Sequence, residues 1–329
     1  MRRTSRAWEP DKVRVAILGA GGWGKNHVRI FCSLLGETSV LVFDPDEARL
    51  REMKAAHPGI EMATRPDYAT VDVVVVSTPA VTHYTLAREA LLAGKHVLVE
   101  KPIALTSHDA MSLIQVAEEQ NRILMVDHLL EYHPAVRALK MLVEQGKLGK
   151  LLHLSSQRLN LGVVRTEENA LWSLAPHDLS VILYLLEEEP VEVAAQGEAY
   201  LQAGIEDVAF VSLRFPSGAV GHVHVSWLDP VKTRRLTVVG DEGMAVFDDI
   251  AEDKLCLFDR RAERDDGGFR LHRGDSEVIR FDQAEPLQNM AKAFIQSVET
   301  GKAPPSDGQD GLRVVRVLEA AQRSLDQGG

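Results

Sequence analysis

Cysteine is scarce: the 329 residues hold two, Cys32 and Cys256, far apart and outside any metal or redox spacing. A disulfide framework and a cysteine-based metal centre are therefore excluded, and a reducing, cytoplasmic setting is expected. Long apolar runs are missing as well. Behind the polar start MRRTSRAWEPD, the run over 13–18 ends in glycines, too short for a secretory core and far from the roughly 20 residues of a membrane span. There is no excess of basic residues either, with 37 Lys and Arg against 48 Asp and Glu, a formal charge of −11. Nucleic acid and membrane are thus not expected as partners, although a local basic pocket for one small anion stays open. What is present is ordinary globular usage, 45% hydrophobic and 26% charged, which sets aside disorder, collagen and coiled coil. At about 150 residues per domain the length suggests two domains.

From 13 to 127 short β-branched runs alternate with helical stretches, the pattern of βαβ units. Strands are expected at 13–18 (VRVAIL), 40–44 (VLVFD), 73–77 (VVVVS), 96–100 (HVLVE) and 123–127 (ILMVD), with helices over about 25–35, 46–56, 83–93 and 107–120 between them. Nearly continuous apolar strands imply a parallel sheet covered on both faces, the doubly wound Rossmann architecture. After a transition helix near 134–145 the strands lengthen, alternate apolar with polar, and are joined by turns such as Pro216-Ser217-Gly218 and Asp241-Glu242-Gly243. An open, mostly antiparallel sheet is expected there, with helices near 170–186, 286–300 and 310–325 on one face and a loop over 301–311. The charged run at 260–268 reads as a solvated hairpin or loop. The division drawn is 1–128, with 1–11 as a flexible extension, and 129–329.

Gly19-Ala20-Gly21-Gly22-Trp23-Gly24 matches G-x-G-x-x-G directly after a strand and before a helix. In that setting the first glycine permits a tight turn, the second a close approach to pyrophosphate and the third tight helix packing, with the helix N-terminus facing the phosphates. Asp44 ends the second strand, where a carboxylate can accept from the adenosine ribose hydroxyls; it favours NAD over NADP because it repels a 2′-phosphate and no arginine immediately follows. A plain turn aspartate in Asp44-Pro45-Asp46 is the alternative.

Glu100-Lys101-Pro102 closes a strand at the carboxyl edge, where open α/β sheets place ligands. A Lys101 ammonium there can stabilise a developing alkoxide or relay a proton; a snorkelling surface lysine fits the spacing too. In Pro176-His177-Asp178, His177 reads as the opening of an apolar helix, where a neutral imidazole can take a hydroxyl proton; a capping or core histidine, with Asp178 as a helix-start charge, is the plainer reading. His222 and His224 alternate on one strand face, but no further ligand follows at metal spacing, so a polar face or subunit contact is expected and no metal.

These pieces together resemble the glucose-fructose oxidoreductase, inositol dehydrogenase and MocA-like (GFO/IDH/MocA) family over nearly the whole chain. The likeness rests on Ser77-Thr78-Pro79-Ala80-Val81-Thr82-His83, on Ala93-Gly94-Lys95-His96-Val97-Leu98-Val99-Glu100-Lys101-Pro102, and on Gly308-Gln309-Asp310-Gly311-Leu312-Arg313. It implies a Rossmann domain binding NAD through the glycine loop with Trp23, Asp44, Thr78, Pro79, His83, Glu100 and Lys101. It further implies a substrate domain on an open sheet, and a homodimer or homotetramer assembled through that sheet. The family's EKP lysine falls on Lys101 and its D-x-x-x-H histidine on His177, whereas the position four before, often Asp in the family, is Ser173 here.

Within the family, WSLAPHDLSVILYLL and HVHVSWLDPVKTRRLTVVG resemble the nucleotide-sugar branch, the UDP-N-acetylglucosamine 3-dehydrogenases and their UDP-N-acetylglucosaminuronate relatives. The expected reaction is NAD-dependent oxidation of the C3 hydroxyl of a UDP-N-acetyl hexosamine, UDP-N-acetylglucosamine favoured, by hydride transfer. Lys101 and His177 are the catalytic candidates; Arg158, Asn160, Arg165 and Asp178 join them as substrate-binding candidates, because guanidinium groups suit a diphosphate. The alternatives are UDP-N-acetylglucosaminuronate, another sugar or an inositol as substrate, and, from another class, a non-catalytic NAD/NADH-sensing regulator, which needs the glycine loop and Asp44 but not Lys101 with His177.

Overall fold

A computed structural model describes residues 13–328; the extension expected over 1–11 lies outside them. The chain divides into two compact units, 1–128 with 285–315 and 129–284 with 316–329.

The first unit runs β1 (Val15–Leu18), α1 (Gly22–Leu35), β2 (Val40–Phe43), α2 (Glu47–Ala56), β3 (Glu61–Ala63), β4 (Val73–Val76), α3 (His83–Leu92), β5 (His96–Val99), α4 (Ser107–Glu119) and β6 (Leu124–Val126). The strands are wholly parallel in the order β3-β2-β1-β4-β5-β6. Every residue of β1, β2 and β4 is buried, which is why the sequence shows unbroken apolar runs rather than alternation. Strand β3 is an edge strand of sequence Glu-Met-Ala, mostly exposed; it carries no apolar run, so nothing in the sequence marks it. Helix starts are set by side chains: Asp46 accepts from the Ala48 and Arg49 amides, and Thr106 from that of Asp109.

The second unit holds α5 (Pro134–Glu144), β7 (Leu151–Leu159), α6 (Ala170–Leu186), β8 (Glu192–Glu198), β9 (Val208–Arg214), β10 (Val220–Ser226), β11 (Thr233–Gly240), β12 (Met244–Asp248), β13 (Leu255–Asp265) and β14 (Gly268–Val278). Its eight strands lie in the order β14-β13-β12-β11-β7-β10-β9-β8, and only β10 with β7 run parallel. Helix α6 packs on β7, β9 and β10, and α5 on β12. On β9, Ala209, Val211 and Leu213 are buried while Phe210, Ser212 and Arg214 are exposed, the period-2 signature of a sheet covered on one face. The charged run at 260–268 is the turn and inner half of the β13–β14 hairpin.

Three sequence expectations change. His177 does not open a helix: α6 starts at Ala170, capped by Asn169 accepting from the Trp172 amide, and Pro176 lies inside it. The proline removes one amide donor without ending the helix, since the flanking apolar residues are held in the core. The loop expected over 301–311 ends sooner, because the last helix, which follows α7 (Pro286–Thr300), is α8 (Gly308–Asp326) and already begins at Gly308, with Asp307 accepting from the Asp310 amide. Lastly, residues 285–315 group with the first unit rather than with a continuous 129–329 domain. Helix α7 packs on α1, and Ser306 and Asp307 pair with β6. Among the described residues no helix is long and apolar enough to cross a membrane.

Candidate functional site: a dinucleotide loop and two sets of polar side chains

Each glycine of the loop has a separate physical reason. Gly19 adopts φ +97°, and a Cβ there would come 2.6 Å from the Ser77 carbonyl oxygen. A Cβ on Gly24 would overlap the Gly19 carbonyl oxygen, so the third glycine lets α1 close on the turn. Gly21 and Gly22, by contrast, face open space, and Gly21 caps α1 without a side chain. This is the cradle a pyrophosphate needs at a helix N-terminus, so the residues present fit a dinucleotide. Trp23 beside it is 41% exposed.

Asp44 is buried at the end of β2, with Oδ2 accepting from the Ala20 amide and Oδ1 from the Asp46 amide, each at 2.8 Å. The ribose candidate and the turn-builder are thus one residue: the carboxylate ties the glycine loop to the Asp-Pro-Asp turn, and its other lone pairs remain for hydroxyl donors. Arg49, which the sequence spacing did not suggest, approaches Asp44 Oδ2 to 3.7 Å.

After β4, Thr78 Oγ1 meets Thr82 Oγ1 at 2.7 Å, and Pro79 precedes the short helical turn that leads into α3. His83 is buried, with Nε2 at 2.8 Å from the Thr78 carbonyl and Nδ1 at 2.8 Å from the Pro102 carbonyl. It acts as a clamp between the Thr-Pro loop and the Glu-Lys-Pro segment. Lys101, half-buried, stands between Glu100 and the cis-linked Pro102. Glu100 itself is turned inward: its Oε1 lies 3.0 Å from His27 Nε2, and Asp127 Oδ2 lies 3.3 Å from the same nitrogen. Burial pulls the His27 imidazole down, but Asp127 and Glu100 outweigh it and lift the pKa to about 9. Burial and the Asp127 charge push Glu100 up, against the pull of His27 and Lys101.

In the second unit, His177 is half-buried in the middle of α6. Asp178, beside it, is committed to β7: Oδ2 accepts from Arg158 Nε at 2.7 Å and Oδ1 from Ser156 Oγ at 2.6 Å. Both Arg158 and Asp178 are buried. Ser173, at the position where the family often has Asp, is buried too. Asn160 follows β7 and is half-buried, its backbone amide donating to the Ser226 carbonyl. Arg165 is half-exposed, with Glu168 Oε1 3.7 Å from its Nε. His222 and His224 lie on the sheet face away from α6, His222 Nδ1 at 3.1 Å from Ser212 Oγ and His224 stacked on Phe210.

Sequence reasoning passed over His27 and Asp127, and over the tie that explains Gly308-Gln309-Asp310-Gly311-Leu312-Arg313: Asp310 meets His128 Nδ1 at 2.6 Å and Arg313 at 2.6 Å. A signal did exist. Strands β2, β4, β5 and β6 are each followed at once by a polar residue, Asp44, Ser77, Glu100 and Asp127, all at the carboxyl edge where such sheets bind ligands.

Residues 13–128 match a family described as "Oxidoreductase family, NAD-binding Rossmann fold", and residues 136–246 match the "GFO/IDH/MocA C-terminal domain". The chain is 29% identical to the myo-inositol 2-dehydrogenase of Thermotoga maritima, over 96% of this chain and 97% of that protein. It is 27% identical to the UDP-N-acetylglucosamine 3-dehydrogenase of Acidithiobacillus ferrooxidans, over 92% of this chain and 94% of that protein. A solved structure of the latter enzyme aligns with a TM-score of 0.83 at 26% identity, covering 95% of this chain and 97% of that one. With a glycine loop shaped for pyrophosphate, a buried acid after β2 and both family segments in order, the chain belongs to the GFO/IDH/MocA oxidoreductase family, and its cofactor is NAD.

Proposed function

We propose that the protein oxidises the C3 hydroxyl of a UDP-linked N-acetyl hexosamine, UDP-N-acetylglucosamine first among them, to the 3-keto nucleotide sugar. The observation that carries this reading is the near full-length likeness to the Acidithiobacillus enzyme, in sequence and in fold. The glycine loop and Asp44 hold NAD, which supplies the hydride acceptor when bound. His177 takes the proton of the C3 hydroxyl as that carbon becomes a carbonyl, and the Lys101 ammonium holds the negative charge that develops on the oxygen. Arg165 and Asn160 are the side chains offered to the nucleotide portion. Arg158, locked to Asp178, serves by shaping β7 and by holding α6, which carries His177, rather than as a free guanidinium.

That lock favours a second reading. With one of the two arginines already neutralised, an uncharged polyol such as an inositol needs less from the pocket than a diphosphate does, and the Thermotoga relative acts on myo-inositol. The deciding experiment is NADH formation from NAD with UDP-N-acetylglucosamine, UDP-N-acetylglucosaminuronate, myo-inositol and free sugars in parallel, with a carbonyl trap to draw the equilibrium. Turnover with UDP-N-acetylglucosamine and a ketone placed at C3 by mass analysis is the expected result; turnover with myo-inositol alone overturns it. Lys101→Ala and His177→Ala are each expected to lower kcat by about 10²-fold or more, the range for a positioned acid or base. Intact turnover in both removes the assigned chemistry, whereas NAD binding without turnover of any nucleotide sugar points to another polyol or to the NAD-sensing regulator.

A further inference from the structure

His27, Glu100 and Asp127 have no part in the reaction as read above. His27 lies on α1, one turn beyond Gly24, and is fully buried with Asp127. One imidazole nitrogen faces carboxylates that follow two neighbouring strands, β5 and β6. A single N–H can be aimed at only one of them. Glu100 receives it, while neither oxygen of Asp127 nor the other ring nitrogen of His27 has a hydrogen-bond partner among the described residues. Stability does not account for such a group, because an apolar trio of similar volume is as stable or more so. Buried, mutually perturbed ionisable groups at the carboxyl edge of an α/β sheet mark function instead. Here the residue that follows the cluster in sequence is Lys101.

We propose that His27, Glu100 and Asp127 are positioning residues for Lys101: a buried charge set that fixes the Glu100 carboxylate at the end of β5, and through it the charge and direction of the lysine that follows. The inference rests on the reading of Lys101 as the group that stabilises the substrate oxygen. The imidazolium balances one carboxylate, and the second acts on the next cation along the chain, the Lys101 ammonium, keeping its proton in place. Because His27 belongs to α1, whose first turn forms the dinucleotide cradle, the same set ties the cofactor helix to the catalytic lysine. A metal ion is the less fitting occupant, since a ligating histidine must be neutral and this one is held protonated by its two acids.

The test is competitive labelling of the Lys101 amine in the full-length protein, with a trace amine reagent across pH and peptide mass analysis, so that no substrate is required. Glu100→Gln removes the nearby negative charge, and the Lys101 titration midpoint is expected to fall by roughly one unit, the low end for a lost opposite charge. His27→Gln keeps an amide donor and changes no charge at the alkaline midpoint, because the imidazole has lost its own proton above about pH 9, so the midpoint is expected to stay where it is. A fall in Glu100→Gln with none in His27→Gln is a signature that loosened packing does not produce. Asp127→Asn, nearly isosteric and expected to lower the midpoint, carries the test if His27→Gln fails to fold. Midpoints unchanged in both Glu100→Gln and Asp127→Asn overturn the inference. Lys101→Met separates the two claims: if it abolishes turnover while the midpoints do not move, only the positioning claim fails, whereas if it stays active, the role of Lys101 fails and the inference falls with it.

Discussion

The aspartate next to the candidate base has a structural task. Asp178 binds Arg158 and Ser156 on β7 with every partner buried, so removing it leaves a guanidinium without a counter-ion in the core. Breaking a buried pair in this way costs about 3–5 kcal/mol, whereas replacing both partners by apolar residues is often neutral. Asp178→Ala is therefore expected to lower the unfolding free energy by that amount in urea titration, and Arg158→Met with Asp178→Leu to recover most of it. If Asp178→Ala costs under about 1 kcal/mol, the pair is not the fastening described. His27 adds a pH dependence. Its folded-state pKa of about 9 lies above the ordinary 6.5, so its contribution to stability is complete below pH 6.5 and is lost as pH rises through about 9. Melting temperatures across that window should decline in the parent and much less in His27→Gln.

Among elements, the β1–turn–α1 unit is the part of the site most legible from sequence, because its glycines answer to steric demands that no other residue meets. Gly24→Ala drives a methyl group into the Gly19 carbonyl, and backbone cannot yield as a flexible side chain does. The expected result is NAD affinity weakened at least tenfold by fluorescence titration; Gly22→Ala, facing open space in the free loop, tests the cradle itself, since it should spare the fold and lower only the affinity. The other elements show where reading a sequence runs out. Apolar strands, turns and the hairpin were visible because period and composition report burial directly. Strand β3 was not, since an exposed edge strand has no burial to report. The helix expected near 170–186 is α6, but Pro176 points to a start at His177 because proline is common there, while the true start depends on Asn169, well upstream of the proline. The pairing of Arg158 with Asp178, and of His27 with two acids, joins residues 20 to 100 positions apart, beyond what local spacing encodes.

At the scale of the whole molecule, the second sheet leaves one face of β7, β9 and β10 away from α6, and that face carries Phe210, 51% exposed and stacked on His224, with His153 of β7 beside His222. Family resemblance implies assembly through this sheet, and a partly apolar face is what such an interface requires. Light scattering of the purified protein is expected to give a dimer or tetramer, and Phe210→Glu to shift it toward monomer; a monomeric parent would remove the expectation.

The strand β6 draws its outer partner from the far end of the chain: the Val126 amide donates to the Ser306 carbonyl, Ser306 Oγ donates to the Val126 carbonyl, and Met125 bridges Asp307. During synthesis the ribosome makes the nucleotide-binding sheet first, and some 180 further residues must follow before that edge can be closed. A nascent chain paused in between exposes an open strand edge, the template on which sheets add a foreign strand. The late segment 301–311 thus does for the newborn protein what a chaperone does for others, and a chain truncated before Ser306 is expected to aggregate even though all six strands of its first sheet have been made.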